Sequence, residues 1–449
     1  MLLHQKSLCC DWQGLDILAA EIDEDVASHK QSAEPFGWQG VSRSQRSLQL
    51  CAEIFNKKNY RPDIAPVSPL TFGHVGKIRL GYSSGEFREQ ATSHLIVGVL
   101  EMHDRTQFEI YAFDNGWSDQ SNTRKRIEVA VPNIINIRGL DDASAAAAIR
   151  ESQIDILVNL NGYFGEHRTR LFAHRPAPVQ VNYLGFPGTL GAPYMDYLIA
   201  DQHVIPPGDR VFYSEKIVYL PNCYQPNDRH REIGSRIFSR DEFGLPEQGF
   251  VFCCFNNNYK IAPELFDRWL RILRRVDDSV LWLIEDNANV ASNLRSETRA
   301  KGVDPRRIVF ATRIPPPDHL ARHRVADLFL DTSPYNAHTT ASDALWAGLP
   351  IVTQAGETFP GRVAASLLRT LGLPELIAPT PQAYEDLAVE LAVNPEKLAT
   401  IKSQVVRNRS TTPLFDTQLY TRHLEAAYVA MYKRQRNGLS PEHIIVTRQ

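Results

Sequence analysis

Strand-length apolar runs alternate with helical patterns along this chain, and they do so in two separate series. No other feature constrains the fold as tightly: parallel strands need helical crossovers, so a chain built this way forms parallel sheets with helices on both faces. The first series places strands at 78–82, 108–113, 154–160, 179–183 and 197–200, with helices from Thr92 or Ser93 to His103 and over 142–152. The second places strands at 250–255, 280–284, 307–310, 326–330 and 350–353. Its helices fall at about 262–275, 288–301, 318–324 and 339–347, and more follow at 361–372, 382–392, 395–408 and 416–434. Between the series, 225–241 is polar, charged and without apolar periodicity, and reads as a linker. The expected organisation is a helical segment over 1–70, punctuated by Pro35, Pro62, Pro66 and Pro69, then a Rossmann-like domain over 71–228 and a second over 242–436. Two doubly wound domains place their strand carboxyl ends on either side of a cleft, where a nucleotide and a second substrate bind.

The chain has 449 residues, 43% of them hydrophobic and 22% charged, enough for two or three ordinary globular domains. A net charge of −3 gives no electrostatic reason to expect a nucleic-acid partner. The six cysteines lack the Cys-x-x-Cys spacing of zinc or redox sites and read as reduced thiols. No signal peptide opens the chain and no apolar run approaches the ~20 residues that span a bilayer, so a cytoplasmic protein with no membrane partner is expected.

Two segments carry chemistry. Thr339 to Ala347 reads as a helix following a buried strand, and its first amides have no intrahelical partners. With the hydroxyls of Thr339 and Thr340 and the positive end of the helix dipole, they suit a diphosphate. Asp343, one turn further in, suits sugar hydroxyls. The alternative is an ordinary helix capped by the two threonines. Lys260 follows the strand at 250–255 in a strand-to-helix loop, at the sheet edge where open α/β folds bind ligands. Alone, such a lysine is more often a solvated surface charge, and its value comes from sharing a sheet edge with the His338 loop.

Assembled, these segments resemble the O-GlcNAc transferase/SPINDLY-like glycosyltransferases. The likeness is carried by Gly81-Tyr82-Ser83-Ser84 with Thr92-Ser93-His94, by Ile156 through Gly162, by Arg175 through Gln180, and by Leu184-Gly185-Phe186-Pro187-Gly188-Thr189. It continues through Phe255-Asn256-Asn257-Asn258-Tyr259-Lys260, Ser279 through Leu283, 336–348, 350–358 and Arg362 through Ser366. The resemblance implies a GT-B fold of two facing Rossmann-like domains. It also implies transfer of a sugar, foremost GlcNAc from UDP-GlcNAc, to a Ser or Thr hydroxyl of a protein or peptide, with inversion and no required metal or other cofactor.

Carried over residue by residue, Lys260 contacts the donor diphosphate and helps UDP leave. His338, Thr339 and Thr340 match the diphosphate-holding turn, Asp343 the ribose carboxylate, and His319 an imidazole placed against uracil. Asn257 falls near the donor, Thr92 within the Thr-Ser-His motif assigned to the donor site, and Leu184, Gly185 and Pro187 on the sugar-side loop. Where many relatives have Asp-Phe-x-x-His-Pro-Thr, this chain has Glu86-Phe87-Arg88-Glu89-Gln90-Ala91-Thr92. Gln90 cannot act as a general base, which leaves deprotonation of the acceptor to Glu86, His94 or a donor phosphate oxygen. Glu86 reads equally as a cap of the following helix, and His94, near the helix start, reads first as a satisfied structural histidine. Phe36 stands where some relatives place an active-site histidine, and Pro316 near a lysine beside the base. The segment Leu8 to Trp12 resembles the junction after tetratricopeptide repeats. Other readings are transfer of a different sugar, fucose from GDP or glucose to asparagine, and a UDP-sugar-binding module without catalysis.

Overall fold

In each series the order in which strands are laid down reverses once, and those reversals position the site. The computed structural model describes residues 2–60 and 76–448. Pro62, Pro66 and Pro69 lie outside the described residues. In the first series β1 (Ile78–Ser84), β2 (Phe108–Asp114) and β3 (Asn133–Asn136) run outward to one edge. Then β4 (Ile156–Asn159), β5 (Val179–Asn182), β6 (Tyr197–Ala200) and β7 (Lys216–Tyr219) run outward on the other side of β1. The second series does the same: β8 (Val251–Cys254), β9 (Val280–Ile284) and β10 (Ile308–Ala311), then β11 (Leu328–Leu330), β12 (Ile351–Gln354) and β13 (Ile377–Ala378) beyond β8. β14 (Ile444–Ile445) adds to the β7 edge of the first sheet. All pairings are parallel. The reversals lie between β1 and β4 and between β8 and β11, and a crevice opens beyond the strand carboxyl ends at such points.

Central strands are buried on both faces, so their sequences are continuous apolar runs rather than alternations. Ile156-Leu157-Val158 of β4 and Val251-Phe252-Cys253-Cys254 of β8 are all but inaccessible. The helix Pro263–Arg275 starts with Pro at its first turn, where a missing N–H costs nothing, and buries Leu265, Phe266, Trp269, Leu270, Ile272 and Leu273. The helix Thr339–Ala347 ends at Gly348 (φ +89°), whose left-handed turn returns Leu349 N–H to Ala344 O.

The compact units are discontinuous in sequence. One comprises 1–24, 37–44 and 231–412 and holds the second sheet; the other comprises 25–36, 45–230 and 413–449 and holds the first. The expected segments 1–70, 71–228 and 242–436 run differently. The N-terminal helices are shared out between the units, and the helix Thr417–Arg436 belongs with the first sheet. Its buried face explains the placement: Tyr420 and Tyr428 bond to Tyr183 and Tyr82 of that sheet. The boundary at 230/231 falls inside the stretch read as a linker, yet Gln225, Asn227 and Asp228 are buried.

Candidate active site

In the unit built on the second sheet, the loops after neighbouring strands β8 and β11 meet. The chain leaves β8 through Phe255–Asn257 and a 3-10 turn, Asn258–Lys260. This turn aims the Lys260 side chain inward: Nζ donates to Asn336 O at 2.9 Å and lies 4.2 Å from the centre of the Tyr335 ring. Lys260 is only 8% exposed, which excludes the solvated-charge reading. Burial brings its pKa down from the usual 10.5 to about 8, with Asp331 opposing the shift.

Asp331 shapes the β11 loop. Its Oδ1 accepts from Thr332 N–H at 2.7 Å and Ala337 N–H at 2.6 Å, and its Oδ2 from Thr353 Oγ1 at 2.5 Å. These bonds close residues 331–337 into a ring and present Asn336 O to Lys260. Burial pushes Asp331 up to about 7 against those hydrogen bonds and the lysine charge. Asn256 fastens the β8 loop to the same ring, donating to Thr332 Oγ1 at 2.8 Å and accepting from Thr340 Oγ1.

His338, not a threonine, occupies the helix N-cap, and it makes no side-chain capping bond. Thr339 and Thr340 are the first helical residues, so the capping alternative does not describe them. The His338 ring stacks on Tyr335 at 4.7 Å, and its Nε2 lies 3.1 Å from Pro360 O. Burial, reinforced by the Lys260 charge, holds its pKa well below the ordinary histidine value. The imidazole is therefore neutral with its proton on Nε2, since a carbonyl only accepts. Asp343, one turn along, is buried and ion-paired with Arg231. Burial raises its pKa and Arg231 opposes. His319 projects from the helix Pro316–Arg322, with its ring 5.4 Å from Phe255 and 4.9 Å from His323. Burial first, then His323 and nearby arginines, keep it neutral. Asn257 is exposed at the loop tip, its Oδ1 accepting from Arg313 at 3.3 Å.

In the other unit, loops after β1, β4 and β5 hold the remaining residues. Glu86, 2% exposed, receives Glu166 N–H at 3.3 Å and Arg88 Nη2 at 3.4 Å on Oε1. It does not cap the helix Ala91–Met102: the N-cap is Gln90, exposed and without a side-chain bond. Thr92 is buried in the first turn, and His94 Nε2 lies 3.1 Å from Glu89 Oε1. Leu184 takes a left-handed φ of +77° to turn the chain after β5. Gly185 N–H then bonds Leu160 O at 3.1 Å, an approach so close that a Cβ would sit 2.2 Å from that oxygen. Phe186 and Pro187 are buried behind it.

The family model for glycosyl transferase family 41 matches residues 42–235 and 227–424. The chain belongs to that family. It is 34% identical over 467 residues to the probable UDP-N-acetylglucosamine–peptide N-acetylglucosaminyltransferase SEC of Arabidopsis thaliana, covering 99% of this chain and 48% of the relative. It is 29% identical to the UDP-N-acetylglucosamine–peptide N-acetylglucosaminyltransferase of Caenorhabditis elegans, covering 82% and 42%. The solved structure of a mutant Thermobaculum terrenum O-GlcNAc transferase superposes with a TM-score of 0.79 at 29% identity, covering 97% of this chain and 85% of that one. The GT-B class of fold, two parallel-sheet Rossmann-like units, is thereby shown. The chain spans less than half the length of the two curated relatives.

In this family 41 chain the motif residues follow β8 and β11 in one unit and β1 and β5 in the other. Sequence reasoning missed Arg231, Asp331 and Tyr335, and gave Asn336, inside the 336–348 segment, no role of its own. Asp331 had a readable signal, a lone acid ending a buried strand; Arg231 sat in the presumed linker and had none.

Proposed function

We propose that this protein transfers GlcNAc from UDP-GlcNAc to a Ser or Thr hydroxyl of a protein or peptide, with inversion. One observation carries the reading: a buried ammonium, Lys260 Nζ, is fixed beside an uncapped helix start by the ring of residues 331–337. When the bond from the sugar C1 to the β-phosphate oxygen breaks, negative charge builds on that oxygen. A cation and free amides preset there stabilise the transition state more than the ground state. Neutral His338 adds a polar group without repelling Lys260, and Thr339 and Thr340 supply hydroxyls. Asp343 accepts from the ribose, and His319 lends its face to the base. Asn257 lies on the same loop as Lys260; for Thr92, Leu184, Gly185 and Pro187, which the other unit holds, the family likeness supports a role toward the donor sugar.

The acceptor oxygen forms its bond to C1 as UDP departs, and its proton passes to Glu86, His94 or a phosphate oxygen. Lys260 and the amides carry the charge that a metal carries in other transferases, so transfer in the presence of a chelator supports this assignment. Among the described residues no helix is long and apolar enough to cross a membrane. The six free thiols support work in the cytoplasm.

The test is Lys260→Ala. Transfer to a peptide acceptor is expected to fall by about a hundredfold or more while the far-ultraviolet spectrum is retained; unchanged turnover removes the leaving-group role. Titration with UDP and GDP separates a UDP-sugar from a GDP-fucose donor. Tight UDP binding with neither transfer nor hydrolysis favours a binding module, the reading that the exposed amide at Gln90 supports.

A further inference from the structure

The stretch that follows the unit boundary at 230/231 straps together the two helices that carry His319 and Asp343. Gly234 N–H bonds Pro317 O at 2.9 Å, and a Cβ on Gly234 would meet Asp318 Oδ1 at 2.9 Å, so the strap lies against the start of the helix that carries His319. Three residues earlier, Trp346 Nε1 donates to Arg231 O at 3.0 Å, which pins the backbone to the helix that carries Asp343. The Arg231 side chain, 12% exposed, donates through Nη1 to Asp343 Oδ1. Among the described residues no hydrogen bond to Asp343 Oδ2 is found. A carboxylate bonded at one oxygen and open at the other is an acceptor of fixed direction, and a fixed acceptor binds a hydroxyl without first having to be ordered.

We propose that Arg231 is a positioning residue for the nucleoside: it holds Asp343 by Oδ1 so that Oδ2 is presented to a ribose hydroxyl of the donor. This inference rests on the reading of Asp343 as the ribose carboxylate. Because the strap joins the helices of His319 and Asp343, Arg231 acts on the uridine end of the donor and not on its phosphates.

The experiment is calorimetric titration of the whole chain with UDP, 2′-deoxy-UDP, 3′-deoxy-UDP and inorganic pyrophosphate, for the wild type and for Arg231→Ala, Arg231→Lys and Asp343→Asn. Arg231→Ala is expected to weaken UDP about tenfold and to shrink the preference for UDP over its deoxy analogues, with pyrophosphate affinity kept. Arg231→Lys, which retains charge without the planar fork, recovers part of the loss. Wild-type affinity and preference in Arg231→Ala overturn the proposal, and so does equal loss of UDP and pyrophosphate binding in both Arg231 variants, which marks a scaffold role. If Asp343→Asn leaves the preference for ribose hydroxyls intact, the ribose assignment itself fails. If it erases that preference while the Arg231 variants keep it, only the role of Arg231 fails.

Discussion

At Lys260 the protein holds a cation largely out of water, and for the proposed donor site that placement sets the expected pH dependence of binding. The groups facing the ammonium are Asp331 on the β11 loop, Cys254 on β8, the rings of Tyr259 and Tyr335, and the neutral His338. With the pKa brought down to about 8, the amine loses its proton in the folded protein as pH rises through 8, although the unfolded chain keeps it to 10.5. The buried cation therefore costs the folded state stability below about pH 8, a cost that fades as pH rises toward 10.5. A diphosphate binds the charged form and raises this pKa again. UDP affinity is thus expected to fall up to about tenfold per pH unit above 8, with a proton taken up on binding. Titration at pH 9 in two buffers of different ionisation enthalpy measures that uptake, and Lys260→Ala should abolish it. Asp331 works from the acid side: its pKa, raised to about 7, means that the ring it holds loses an acceptor as pH falls below 7.

At the scale of elements, most residues of the proposed site sit on loops whose shape is set by backbone contacts. The turn after β5 is the sharpest case, because Gly185 packs against Leu160 O with no room for a side chain. Gly185→Ala is expected to shift the loop and to cost about 1–3 kcal/mol by chemical denaturation, with transfer activity reduced further. Gly208→Ala is the control: a Cβ there meets nothing within 4 Å, and a change within about 0.5 kcal/mol is expected. Long periodic elements were legible beforehand, and the helix at 339–347 was read with the bounds the structure shows. β3, β7, β13 and β14 were not read. β13 and β14 are two residues each, and their extended shape comes from pairing with a sheet edge rather than from their own composition.

Across the whole molecule, the chain returns to its first sheet for the last time at Pro413. The helix Thr417–Arg436 buries Tyr420, Leu424, Tyr428 and Met431 there. Tyr428 receives the Tyr82 hydroxyl at 3.3 Å, and Glu425 Oε1 lies 2.9 Å from His103 Nδ1. A chain ending at Thr412 lacks Tyr428 and Glu425 and bares the apolar face on which that helix packs, although Tyr82 Oη and His103 Nε2, 2.8 Å apart, still pair with each other. Hydrogen exchange is expected to show lost protection in Ala91–Met102 and β1 while β8 and β9 keep theirs; equal protection in both would show that the helix is dispensable. By itself the sequence determined the two strand–helix series, the bounds of the helix at 339–347 and the likeness to family 41, because periodicity and motifs are local patterns along the chain. Tertiary structure alone decided that Lys260 points inward to Asn336, that Arg231 grips Asp343 from 112 residues away, and that the final helix joins the first sheet. Those outcomes depend on which buried polar group finds a partner once the sheets have formed, and no local pattern encodes a partner so distant.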